Sequence, residues 1–140
     1  MLQDKRCTLY AHSNEFSLVR YNHAMNIQTV TITVSDMKRA KAFYEDILGF
    51  KPDEFYEPTS WQPYRFNNQL FGIREKRGFV RPDSFDIANF ETDNVEELWA
   101  SVENKAKVVE ELAPTPWGSY RFVVQDPDGY NVAFVAKRDT

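Results

Sequence analysis

The first regular pattern in the chain is "NIQTVTITV" (26–34), where Thr29, Thr31 and Thr33 alternate with Val30, Ile32 and Val34. A period of two marks a strand with one polar and one apolar face. The spacing then lengthens. In "SDMKRAKAFYEDILGF" (35–50), Ala40, Phe43, Tyr44, Ile47 and Leu48 recur at helical intervals and make one apolar stripe. Ser35 supplies an N-cap, and Gly49 a stop at the position where helices turn left-handed. Strands are predicted at 51–57, 61–67 and 70–76, the last two joined by the Asn-rich turn of "FNNQLF".

The same programme runs again. "FDIANFET" (85–92) reads as a strand, Asp93 and Glu96 have capping-box spacing, and Val95, Leu98, Trp99 and Val102 form a second helical stripe. Strands at about 106–111, 118–125 and 130–137 complete the half, and "YRF" occurs in both halves, at 64–66 and 120–122, each time taken to enter the penultimate strand. "DPDG" (126–129) supplies the turn into the last strand. The chain is thus an internal duplication, with modules at about 25–78 and 83–137 inside one domain, 25–140. Matching Ser35 to Asp93 sets Thr29 against Ile87, Thr31 against Asn89 and Glu75 against Ala133. Residues 1–24 show no sustained periodicity beyond a short strand or staple in "FSLVR" (16–20). They read as an extension ahead of the domain and carry both histidines, His12 and His23.

Composition narrows the function. A net charge of −4 argues against nucleic-acid or anionic-membrane partners and mildly favours a cationic or neutral ligand. Eleven Phe, seven Tyr and three Trp in 140 residues are enough rings to fill a core and also line a pocket. One cysteine, Cys7, excludes an internal disulfide and a Cys-type zinc site. No apolar run has the length of a membrane span, and the N-terminus lacks a signal-peptide core, so a cytoplasmic protein is expected. With no histidine after His23, Ser/His/Asp and Cys/His nucleophilic arrangements are not expected in the domain.

A βαβββ unit used twice, with "FYEDILGF" (43–50) closing the first helix and "DPDGYNVAF" (126–134) opening the last strand, resembles the vicinal oxygen chelate superfamily. That superfamily holds glyoxalases, extradiol dioxygenases and bleomycin-resistance proteins. The resemblance implies an α+β fold in which two βαβββ modules form a cupped mixed sheet around one cleft. It also implies four metal-ligand positions, which carry over here to Thr29, Glu75, Ile87 and Ala133. Only Glu75 is a competent ligand, so no metal and no cofactor is expected. A register shift to Gln28, a contribution from His12 or His23, or oxygens from Asn89 and Glu91 would be needed to restore a site.

Strand parity gives the expected lining of the metal-free cleft. Thr29, Thr31 and Thr33 face in, with Ile87 and Asn89, with Phe71, Ile73 and Glu75, and with Asn131, Ala133 and Val135. Trp61, Tyr64, Trp117 and Tyr120 stand near the rim. Rings with one carboxylate suit a flat or cationic organic molecule. In character the chain is most similar to bleomycin-resistance-type members, which implies a homodimer that sequesters its ligand and leans against an enzyme without deciding it. The alternatives are a metal-dependent lyase or dioxygenase with relocated ligands, or a metal-free isomerase or lyase with Glu75 as general base.

Overall fold

The computed structural model describes residues 25–137; the expectations placed on 1–24, including the FSLVR strand and both histidines, lie outside them. The order is β1 (Thr29–Val34), α1 (Met37–Lys41, continuing as a π-helical stretch Ala42–Ile47), β2 (Trp61–Phe66), β3 (Gln69–Glu75), β4 (Ile87–Thr92), α2 (Val95–Val102), β5 (Lys107–Pro114), β6 (Tyr120–Gln125) and β7 (Asn131–Ala136). Two sheets result, ordered β1-β3-β2 and β4-β7-β6-β5. In each, the first strand lies parallel to the last, and the remaining pairings are antiparallel.

The halves differ where a strand was expected at 51–57. Only two isolated bridges form there, Pro52 with Tyr64 and Tyr56 with Trp61, followed by a 3₁₀ turn at Glu57–Thr59. Pro52 and Pro58 have no N–H to give a ladder. Asp53 turns its carboxylate to the Glu54 amide (2.8 Å) and to Arg65 (3.0 Å). Among the described residues the first sheet therefore has three strands against four in the second.

Both helix caps fall one residue later than expected. Asp36, not Ser35, accepts from the Arg39 amide at 2.9 Å. Asn94, not Asp93, is the cap of α2, and its side chain is engaged by Thr92 and Glu97, so the capping box does not form. Gly49, at φ 79°, ends the first helix as its position required. The two YRF segments are not equivalent, since 64–66 closes β2 whereas 120–122 opens β6.

One core serves both halves. Phe50 packs against Phe66 (4.9 Å between centroids), Phe90 (5.1 Å) and Phe134 (6.3 Å), and Phe134 stacks on Phe122, which meets Trp99. Each ring pair contributes about 0.5–1.5 kcal/mol beyond its buried area. A polar clasp joins the halves at the DPDG turn. Buried Asp126 accepts from the Tyr44 hydroxyl (2.7 Å) and from the amides of Asp128 (2.9 Å) and Tyr130 (2.8 Å). Asp128 reaches across to the Ser35 amide at 3.2 Å.

Burial raises the Asp126 carboxyl above its ordinary value of 3.8, against the lowering effect of its hydrogen bonds, led by Tyr44. Protonation is thus easier in the folded chain than in the unfolded one. This group's contribution to stability is complete below 3.8 and is lost as pH rises through the raised folded value. In denaturant titrations from pH 7 downward, the stability of the wild type relative to Asp126→Asn should increase as pH falls; an increase towards alkaline pH would contradict the assignment. Tyr44→Phe, which removes a hydrogen bond to a charged group, should cost about 1.5–3 kcal/mol at neutral pH.

Candidate functional site

Strand β1 ends one sheet and β4 ends the other, and the two edges border a cavity of about 1020 Å³. Val30 to Thr33 on β1 and Ile87 to Glu91 on β4 line it as consecutive residues. Neighbours along a strand point to opposite faces, so the cavity meets these strands along their edges, not on one face. Its rings are Tyr44, Phe66, Phe71, Phe90 and Tyr130, and its amides include Asn67, Gln69, Asn89 and Asn131. The charged residues of the lining are Asp86 and Glu91, both acidic. Ile27, Val30 and Ile87 form an apolar rim, 66%, 50% and 38% exposed.

Two phenols fix the walls. Tyr44 is buried, and burial together with the neighbouring Asp126 raises its hydroxyl well above the ordinary value, so it stays a proton donor to that carboxylate. Tyr130 is also raised, chiefly by burial, and the Arg81 guanidinium lies 4.5 Å over its ring.

Of the residues singled out in the sequence, Thr31, Phe71, Ile87, Asn89 and Asn131 do line the cavity. Thr29 starts β1 outside the lining. Ile73 and Tyr64 are fully buried in the core, and the Tyr64 hydroxyl donates to Glu45 at 2.8 Å. Ala133 is buried opposite Asn89 in the sheet. Trp61 lies on the threonine face, its indole N–H 3.2 Å from Thr31 Oγ1, over Gly72, where a Cβ would collide with it. Trp117 and Tyr120 are half exposed, with Arg121 5.4 Å from the Trp117 ring.

Glu75 is placed elsewhere. It accepts from the Met37 amide at 2.7 Å and lies 3.7 Å from Arg77, capping the start of α1 beside a separate hollow with Ser35, Lys41 and Glu45. The reason is register. Leu70 and Asn131 are the partners of Thr29 and Ile87, so the counterpart of Ala133 is Gly72, three residues before Glu75. An odd slip changes the face of every side chain. Phe71, Ile73 and Glu75 therefore share the face of Val30, Ile32 and Val34, beneath the helix, not that of the threonines.

The donors at the inferred metal positions do not fit an ion. Glu75 pairs with Val34 and Thr29 with Leu70, at opposite ends of the β1–β3 ladder and roughly 16 Å apart at strand rise. Isoleucine and alanine at the other two positions offer no ligand atom. Among the described residues no three of His, Cys, Asp and Glu come together. Asp86, Tyr44 and Tyr130 escaped the sequence reading because face parity does not identify an edge-on lining; Glu91 was visible as the residue sharing a face with Ile87 and Asn89.

The architecture and its site define a two-module α+β protein with an aromatic, acidic cavity between its first and fourth strands. A family model described as the Glyoxalase/Bleomycin resistance protein/Dioxygenase superfamily matches residues 21–134, and the chain belongs to that superfamily. No curated protein matches the chain. Among solved structures it is similar to a glyoxalase/dioxygenase from Nostoc punctiforme (TM-score 0.72, 16% identity, 88% of this chain and 98% of that one). It is also similar to a protein of unknown function from Agrobacterium tumefaciens str. C58 (0.69, 24%, 81% and 95%). A third is a lactoylglutathione lyase from Agrobacterium tumefaciens (0.63, 21%, 79% and 92%). At these identities the likeness is one of fold.

With Glu75 acting as a cap, Glu75→Ala should lower stability by about 0.5–2 kcal/mol. The melting temperature of EDTA-treated protein should not respond to Ni²⁺, Zn²⁺, Mn²⁺, Fe²⁺ or Co²⁺. A metal-dependent rise that Glu75→Ala abolishes would contradict this placement.

Proposed function

We propose that this protein binds and sequesters a cationic aromatic molecule in the cavity between β1 and β4, without a metal or cofactor and without turning it over. The charge of the lining supports this most directly: among the described residues it has carboxylates at Asp86 and Glu91, no basic side chain, and five rings. A cation gains from both carboxylates and from the ring faces, and a flat ring stacks among Phe71, Phe90 and Tyr130. The volume is that of a drug-sized ligand site. Sequestration of a drug, as in antibiotic resistance, is the role in the cytoplasm that this chemistry suits.

A general-base role for Glu75 gains no support from its position, because its carboxylate is held by the α1 amide and by Arg77. No helix among the described residues is long and apolar enough to cross a membrane.

Tryptamine, as a probe, should bind saturably in calorimetry and be recovered unchanged. The double substitution Asp86→Asn/Glu91→Gln should weaken it about tenfold, equal to 1.4 kcal/mol. Equal affinity in the double variant would refute the cation site.

We further propose a homodimer. Among the described residues β1 and β4 are terminal strands; terminal strands with exposed apolar side chains are ready contacts for a second copy, and Val30 and Ile87 offer them at both edges. Light scattering should give twice the chain mass, and Val30→Lys should shift it to the monomer. A monomeric wild type at all concentrations would rule the dimer out.

A further inference from the structure

The chain that precedes the described residues joins them beside the cavity. Ile27 lines the cavity mouth, and Met25, two residues earlier, is 70% exposed. On the β4 side Phe85 is fully exposed, one residue before the lining Asp86. Large apolar side chains left in water around a cavity mark a surface that takes a further segment. Among the described residues β1 and β4 are terminal strands, so the edges that border the cavity offer backbone N–H and C=O groups to an extended chain.

The preceding sequence has the chemistry to fill that place. "FSLVRY" (16–21) carries Phe16, Leu18, Val19 and Tyr21 with one charge, Arg20, and no carboxylate. The cavity is its complement: rings with Asp86 and Glu91 and, among the described residues, no basic side chain. Reach is sufficient, because Ile27 stands seven residues on from Arg20, up to roughly 23–25 Å of extended chain. A short tether also holds the segment at an effective concentration of about a millimolar, so a modest fit fills the cavity.

We propose that residues 16–21 of this chain occupy the cavity between β1 and β4 when no ligand is bound, with Arg20 at Asp86 and Glu91 and with Phe16 and Leu18 among the rings. A cation beside apolar groups is also what the proposed ligand offers. The segment is therefore a built-in competitor that a ligand must displace. This rests on the cation-binding reading above and adds the regulation of that site.

A nitroxide on the full chain tests the placement with no ligand present. In Cys7→Ser/Ser17→Cys the label should broaden the amide signals of β4, Ile87 to Glu91, far more than that of Val109 on β5. Adding Phe16→Ser/Leu18→Ser/Arg20→Ser should remove most of that broadening, and tryptamine should release it from the otherwise unaltered segment. In calorimetry the triple serine variant should bind tryptamine about tenfold more tightly than wild type, as for a cavity that is self-occupied about nine-tenths of the time.

Broadening of β4 no greater than that of Val109, or broadening that the triple substitution leaves unchanged, would overturn the inference. So would broadening that passes from a labelled chain to an isotope-labelled, nitroxide-free chain in a mixed sample and is absent within one chain, since the cavity would then hold the segment of a second copy. Equal tryptamine affinity in wild type and the triple variant would overturn the competition and leave the cation site intact. No tryptamine binding to the triple variant, with the broadening as expected, would keep the segment in the cavity and overturn the cation-binding reading.

Discussion

Among the described residues the two halves share no backbone ladder, so their relation depends above all on one buried carboxylate. Asp126 holds its own turn through the amides of Asp128 and Tyr130 and takes the hydroxyl of Tyr44 from the first helix. That bond sets the last strand pair of the second half against the helix of the first. The ring stack from Phe66 through Phe50 and Phe90 to Phe134 supplies the bulk of the contact but little direction. Hydrogen bonds to a charged group supply direction. The Ser35 amide on Asp128 adds a second tie at the top of β1.

With the halves fixed in this way, β1 and β4 are left as the terminal strands of separate sheets. The space between them is bordered by strand edges and lined by Tyr44 and Tyr130, which join the same clasp, Tyr44 through its hydroxyl and Tyr130 through its backbone amide. Scaffold and site are therefore coupled: the turn that locks the halves also delivers Tyr130 to the cavity wall. Arg81, its guanidinium 4.5 Å over the Tyr130 ring, packs on that wall.

Much of the fold was legible in the sequence. Alternation in 29–34 and 87–92, the two apolar stripes and the DPDG turn gave the two modules, because period and turn chemistry are local properties. The departures came from features that are not local. Prolines thinned the expected strand at 51–57 to two bridges. A three-residue difference in the return to β3 and β7 defeated the simple alignment of Glu75 with Ala133, and with it half of the parity argument. In the second half, where parity and register agree, Ile87, Asn89 and Asn131 were placed correctly on one face. Asp86 and Tyr130 stand just before β4 and β7, where strand alternation says nothing about a side chain, and their place beside the cavity follows only from the sheet order.

A crystal structure of the full chain soaked with tryptamine tests most directly the proposal that the cavity between β1 and β4 takes a cationic aromatic ligand. The indole should lie among Phe71, Phe90 and Tyr130, with the ammonium towards Asp86 and Glu91. Tryptamine stacked instead on Trp61 over the threonine face, or seated in the hollow beside Glu75, would contradict it.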